Sequence, residues 1–237
     1  MKRSASFALA FCAFGSAAAQ DNLEPEDSVY QGRAMQDDIL LGYDRDITRK
    51  FSEIYDGSYA ARAIILHAFD AEYAVAISAN EQPPKIIGLK ADRQLYAYWW
   101  MKSQEGATNK NTIAAIEELR ASMPPSIDAV RLHRCEIPTS DEDRKLYIYL
   151  WKTMLFRARY SEVSRFGLDG VTYHFSGEVG HQQLAGKIWR PSSGSITQRF
   201  SDVAETLFAA CADNDAGRLS AARNEAYAIC AEIACAD

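Results

Sequence analysis

Four apolar runs follow one another between residues 63 and 100: AIILHAF at 63–69, EYAVAIS at 72–78, KIIGLK at 85–90 and LYAYWW at 95–100. Each is strand-sized. Polar or proline-bearing breaks separate them, with Gln82-Pro83-Pro84 the sharpest. Short apolar runs with turns between them predict an antiparallel meander. The alanine content near residues 60–68 leaves helix open there as an alternative. Within the last run, a strand places Tyr96 and Tyr98 on one sheet face and Trp99 on the other.

Around this block the spacing changes from strand to helix. Met35, Ile39, Leu40, Tyr43, Ile47, Phe51 and Ile54 recur every three or four residues, a helical stripe that ends at Asp56-Gly57-Ser58. Ile113, Ile116 and Leu119 predict a helix over 113–123, capped by Thr112 and stopped by Pro124-Pro125. Residues 129–137 read as a strand. Thr139-Ser140-Asp141-Glu142 is a helix start with acidic residues at the positive end of the dipole. The helix it opens runs to about Ser161, with Leu146, Leu150, Met154 and Arg157 on one face and Trp151, Leu155 and Ala158 beside them. Residues 171–176 and 184–189 form a hairpin. Phe200, Val203, Ala204, Leu207 and Phe208 mark a helix over 197–211, and a last helix spans about 219–234. The segregated order predicts an α+β fold, with a mainly antiparallel sheet (meander plus hairpin) packed with several helices.

The ends and the cysteines bear on compartment. Met1-Lys2-Arg3, an apolar stretch near residues 7–14, and Ala17-Ala18-Ala19 before Gln20-Asp21 have the layout of a secretory signal peptide over residues 1–20. Cys12 departs with it, because the bulky Phe11 does not suit a lipoprotein cleavage site. Residues 21–35 read as a flexible acidic arm, and 36–237 as one globular domain. Loss of Lys2 and Arg3 turns 26 cations into 24 against 32 anions, so the mature net charge is 24 − 32 = −8. That surface disfavours nucleic acid and anionic membranes. No segment beyond the leader is long and apolar enough to insert in a membrane.

Cys135, Cys211, Cys230 and Cys235 remain, an even number suited to disulfides in an oxidising compartment. Three pairings are open. The preferred one has a bond within the C-terminal segment and another tying Cys135 to it, stabilising the C-terminal helices. A metal site built from His133, Cys135, Cys230 and Cys235 has no common zinc spacing.

Motifs for catalysis are not found. The loop Ser192-Ser193-Gly194-Ser195 lacks a nucleophile elbow and reads as a helix cap. No phosphate-binding glycine pattern is present. The histidines are His67, His133, His174 and His181. His174 and His181 are expected to face each other across the hairpin, near Asp169 and Glu178, where they could bind a metal or move protons. A strand with a polar outer face explains them as well. The carboxylate pairs Asp37-Asp38 and Asp44/Asp46 and the triplet Asp141–Asp143 read as solvated helix surfaces and caps. Tyr96, Tyr98 and Trp100, with His174 and His181, form the candidate binding surface. No catalytic, cofactor or metal residue is assigned.

The segments Leu150-Trp151-Lys152-Thr153-Met154-Leu155, Arg159-Tyr160, Leu168-Asp169-Gly170-Val171-Thr172-Tyr173-His174-Phe175-Ser176 and Ile188-Trp189-Arg190-Pro191-Ser192 resemble a pattern in small uncharacterised secreted proteins of Gram-negative bacteria. The resemblance implies a periplasmic setting and carries no functional residue with it. The expectation is an exported protein, periplasmic or secreted, that binds another protein without catalysis, as an inhibitor or immunity protein does. A basic periplasmic or secreted partner would suit the charge. The alternatives are an unfamiliar periplasmic hydrolase and a small-ligand or glycan-binding protein. Oligomeric state is left open.

Overall fold

Strands that are apolar at every position need cover on both faces, and here they have it. The computed structural model describes residues 21–25, 38–159, 170–179 and 182–235. Its elements are β1 (Glu24–Pro25), α1 (Asp38–Lys50), β2 (Tyr59–His67), β3 (Tyr73–Ser78), β4 (Lys85–Ala91), α2 (Tyr96–Ser103), α3 (Lys110–Ser122), β5 (Leu132–Pro138), α4 (Asp141–Phe156), β6 (Val171–Val179), β7 (Gln182–Trp189), α5 (Ile196–Asp213) and α6 (Ala216–Ile233). The strands form one antiparallel sheet in the order β1-β7-β6-β2-β3-β4-β5. Strands β2, β3 and β4 are the first three members of the expected meander; β5, not the run at 95–100, pairs beyond β4. The β6–β7 hairpin returns to pair with β2.

On one face Ala61, Ala63, Ile65, Val75, Ile77 and Ile86 meet Trp151, Phe175 and Phe200 under α4, α5 and α6. On the other, Ile64, Leu66, Ala74, Ala76, Ile87 and Leu89 meet Tyr43 and Ile47 of α1, Trp99 of α2, and Phe51 and Leu95 at the ends of those helices. A register shift between Tyr59 and Ala61 turns Tyr59 to this second face.

Local chemistry sets the helix starts. Ser140 accepts from the Asp143 amide at 3.0 Å, and Ser195 from the Gln198 amide at 3.1 Å, so the serine loop is the expected cap. Asp215 caps α6 through the amides of Gly217 and Arg218.

Cys135 of β5 is bonded to Cys211 of α5, and Cys230 to Cys235. These are the preferred pairings. The three sulfurs of the imagined metal site are therefore committed to disulfides, Cys230 and Cys235 to each other and Cys135 to Cys211. The first bond spans 76 residues and the second 5. In the loop-entropy model these are worth about 4.5 and about 2 kcal/mol before native strain.

Several boundaries differ from expectation. Strand β2 starts at Tyr59, which leaves Phe69 in the following turn, 82% exposed. Helix α1 gives way to a 3-10 turn at Ser52–Tyr55. Helix α3 begins at Lys110, capped by Asn109 rather than Thr112. Residues 127–129 form a 3-10 turn before β5, and α4 stops at Phe156. The hairpin is longer than expected, because Gly177 fits inside β6, where a Cβ would stand 3.0 Å from the Ala60 carbonyl oxygen.

The run at 95–100 is the largest correction. It is helical, not a strand. Strand β4 has two edges, and β3 and β5 take both. No edge of β4 is left for Tyr96–Trp100, and the run packs on the sheet's face as a helix, burying Ala97 and Trp99.

Candidate interaction surface

Strands β4 and β5 are neighbours, yet the chain between them makes a long excursion. It leaves and returns at one point: the Asp92 amide donates to the Arg131 carbonyl at 2.9 Å, and the Arg131 amide to the Asp92 carboxylate at 3.1 Å. A two-residue turn closes most such pairs. Here residues 93–130 build α2 and α3 instead.

Glu72 holds the base of this arm. It is fully buried just before β3, and accepts from the amides of Leu95 (2.6 Å) and Tyr96 (2.8 Å) and from the Tyr43 hydroxyl (2.8 Å). Leu95 offers no side-chain cap of its own, so the carboxylate satisfies the first amides of α2 from another element. Burial raises the Glu72 pKa above the usual carboxylate value, against the pull of those hydrogen bonds. Burial, with Glu72 beside it, raises the Tyr43 phenol as well. Gln94 Nε2 donates to the Ala68 carbonyl at 2.6 Å and ties the arm to the β2–β3 turn.

Within the arm, Ala97 and Trp99 face inward. The indole of Trp99 lies on Gly42 of α1, where a Cβ would stand 2.7 Å from its Cζ3. Only glycine allows that approach. Lys102 Nζ sits 4.9 Å from the Trp99 ring centre. The sequence-predicted residues separate. Tyr96 packs edge-on against Tyr43 with centroids 5.5 Å apart. Tyr98 donates to the Pro124 carbonyl at 2.7 Å and so pins the segment after α3. Tyr96, Tyr98 and Trp100 are all half-buried. A helix cannot put Tyr96 and Tyr98 side by side as a strand would; Tyr96 and Trp100, four apart, share a side.

Helix α3 is different in kind. None of its thirteen residues is buried. Ile113 is 39% exposed, and Ile116 and Leu119 are half-buried. The excursion's charges cancel: Asp92, Glu105, Glu117, Glu118 and Asp128 against Arg93, Lys102, Lys110, Arg120 and Arg131, or 5 − 5 = 0, in a chain of net −6.

The histidines do not form the expected constellation. His174 stands opposite Lys187, not His181, because Val179 and Gln182 are the last pair before the turn. His181 and Asp169 lie outside the described residues. Glu178 is four residues further along β6 than His174, roughly 13 Å by strand rise. His174 instead joins Asp44, Ile47, Thr48, Tyr55, Ile64 and Leu66 around a hollow of about 20 Å³, room for a single water. Pockets for small organic ligands start near 300 Å³. Next to it Arg62, nearly buried, donates to Ser176 Oγ at 2.8 Å and to the Ile54 carbonyl at 3.2 Å, with its guanidinium over Tyr55. His67 contacts the Tyr73 hydroxyl at 3.3 Å, and His133 lies exposed on the edge strand β5. Among the described residues no three His, Cys, Asp or Glu side chains gather as metal ligands.

Reading the sequence passed over Glu72, Gly42 and Arg62. A carboxylate and an arginine beside apolar strands, and a glycine inside a helical stripe, were the available signals. No family model, no curated protein and no solved structure matches this chain.

Proposed function

We propose that this is an exported protein that acts by holding another protein, without catalysis of its own, in the manner of an inhibitor or immunity protein. The α2–α3 arm is its docking element. The carrying observation is that α3 buries no residue while Ile113, Ile116 and Leu119 repeat along it at three-residue spacing. The sheet closes at Asp92 and Arg131 without the arm, and anchors of this spacing suit a helix laid in a partner's apolar groove. The arm is electrically neutral, so the occupant is a protein met by apolar contact there. The chain's acidity lies elsewhere and steers a basic partner toward it. Two disulfides suit an oxidising compartment, and no described helix is long and apolar enough to cross a membrane. With the leader-like residues 1–20, these support export to the periplasm.

The test is a photo-crosslinking amino acid at Ile116, with Tyr227 on α6 as the control position, in cells that make the protein. The reading expects one protein joined at Ile116 and lost in Ile113→Glu/Leu119→Glu, which removes no core contact. Crosslinks of equal yield at Tyr227, or none at Ile116, would overturn it.

A further inference from the structure

The two disulfides are built for different lives. Cys211 is 2% exposed; its partner Cys135 is half-buried, with its sulfur packed on Gly88, where a Cβ would stand 2.6 Å from it. Phe208 flanks the same spot. Cleaving this bond would leave a thiolate in an apolar layer, where it is a poor leaving group. Cys230 and Cys235 are both half-buried at the end of α6. Between them Ala234 holds φ 53° and ψ 63°, a left-handed conformation unfavourable for alanine. The Cys235 amide donates to the Cys230 carbonyl at 3.1 Å, and Arg157 Nη1 to the Ile233 carbonyl at 3.5 Å. A cation therefore stands at the backbone that leads into the loop.

We propose that Cys230–Cys235 is a thiol-exchange site, open to a dithiol while the chain stays folded, and that Cys135–Cys211 is not. A thiolate of the dithiol attacks one of the two sulfurs. A mixed disulfide forms, and the other cysteine leaves as a thiolate and is protonated. The second thiol then attacks the mixed disulfide. The dithiol departs oxidised as its own disulfide, and Cys230 and Cys235 end as two thiols. Reduction frees Ala234 from its left-handed conformation and lets the last turn of α6 relax, with the sheet untouched. Accessible, strained disulfides are the exchangeable ones in general.

The experiment treats the folded protein with graded dithiothreitol, quenches with an alkylating reagent and maps the modified cysteines by mass spectrometry. Near-ultraviolet circular dichroism follows the core in parallel. Cys230 and Cys235 are expected to react at least tenfold faster than Cys135 and Cys211, with the spectrum retained. In Cys230→Ala/Cys235→Ala, reductant consumption under native conditions should vanish. Equal rates at the two bonds, earlier loss of Cys135–Cys211, or no reduction until the spectrum collapses would each overturn the proposal.

Discussion

Trp151→Ala tests the three-layer packing most directly. Trp151 is 1% exposed, lies edge-on to Phe175 and Phe200 at 5.9 and 4.6 Å, and donates its indole N–H to the Arg62 carbonyl at 3.0 Å. A tryptophan buries up to about 250 Å². Less what alanine keeps, roughly 180 Å² is lost, worth about 4.5 kcal/mol at 25 cal/mol/Å². The edge contacts and the hydrogen bond add about 1 kcal/mol each. Partial collapse of the cavity returns some of this, and tryptophan-to-alanine losses in cores run about 3–5 kcal/mol. The expected loss is therefore about 5 kcal/mol, a large share of a typical domain's stability. Urea unfolding followed by circular dichroism measures it as a fall in midpoint at constant slope. Trp151→Phe keeps most of the apolar volume and forfeits the N–H bond, so it should cost about 1–2 kcal/mol. A loss under about 2 kcal/mol for Trp151→Ala would refute the reasoning: the indole would not be the plug between α4 and the sheet.

Two further outcomes concern the arm's base. Burial raises the folded-state pKa of Glu72 above its unfolded value of about 4.3. The stabilisation this brings is complete below that value and is lost as pH rises through the folded pKa. Relative to Glu72→Gln, the wild type should weaken as pH climbs from 4 toward neutrality; a wild type that gains over that range would show the Leu95, Tyr96 and Tyr43 hydrogen bonds prevailing over burial. Gly42→Val drives a side chain into Trp99, so stability should fall by about 1–3 kcal/mol and Trp99 emission should shift to the red; unchanged stability and emission would mean that α1 and α2 do not meet there.

Residue pattern alone was enough for much of this architecture. The apolar runs supply strands over 63–67, 73–78 and 85–90, and the α5 stripe from Phe200 to Phe208 is buried as its spacing requires. Side-chain period is set by backbone geometry, so it can be read before any contact exists. The Ser140 and Ser195 caps were legible for the same reason: each bonds within its own helical turn. Even cysteine number and position narrowed the pairing. Tertiary structure decided the rest, because it turns on contacts between residues far apart in the chain. Tyr96–Trp100 became a helix once β3 and β5 had taken both edges of β4. His174 came to face Lys187 because strand register, not nearness to the turn, chooses partners. Glu72, 23 residues before Leu95, became the cap of α2. That α3 would carry an apolar stripe was visible in its spacing; that none of its residues would be buried depended on where the sheet closed, at Asp92 and Arg131.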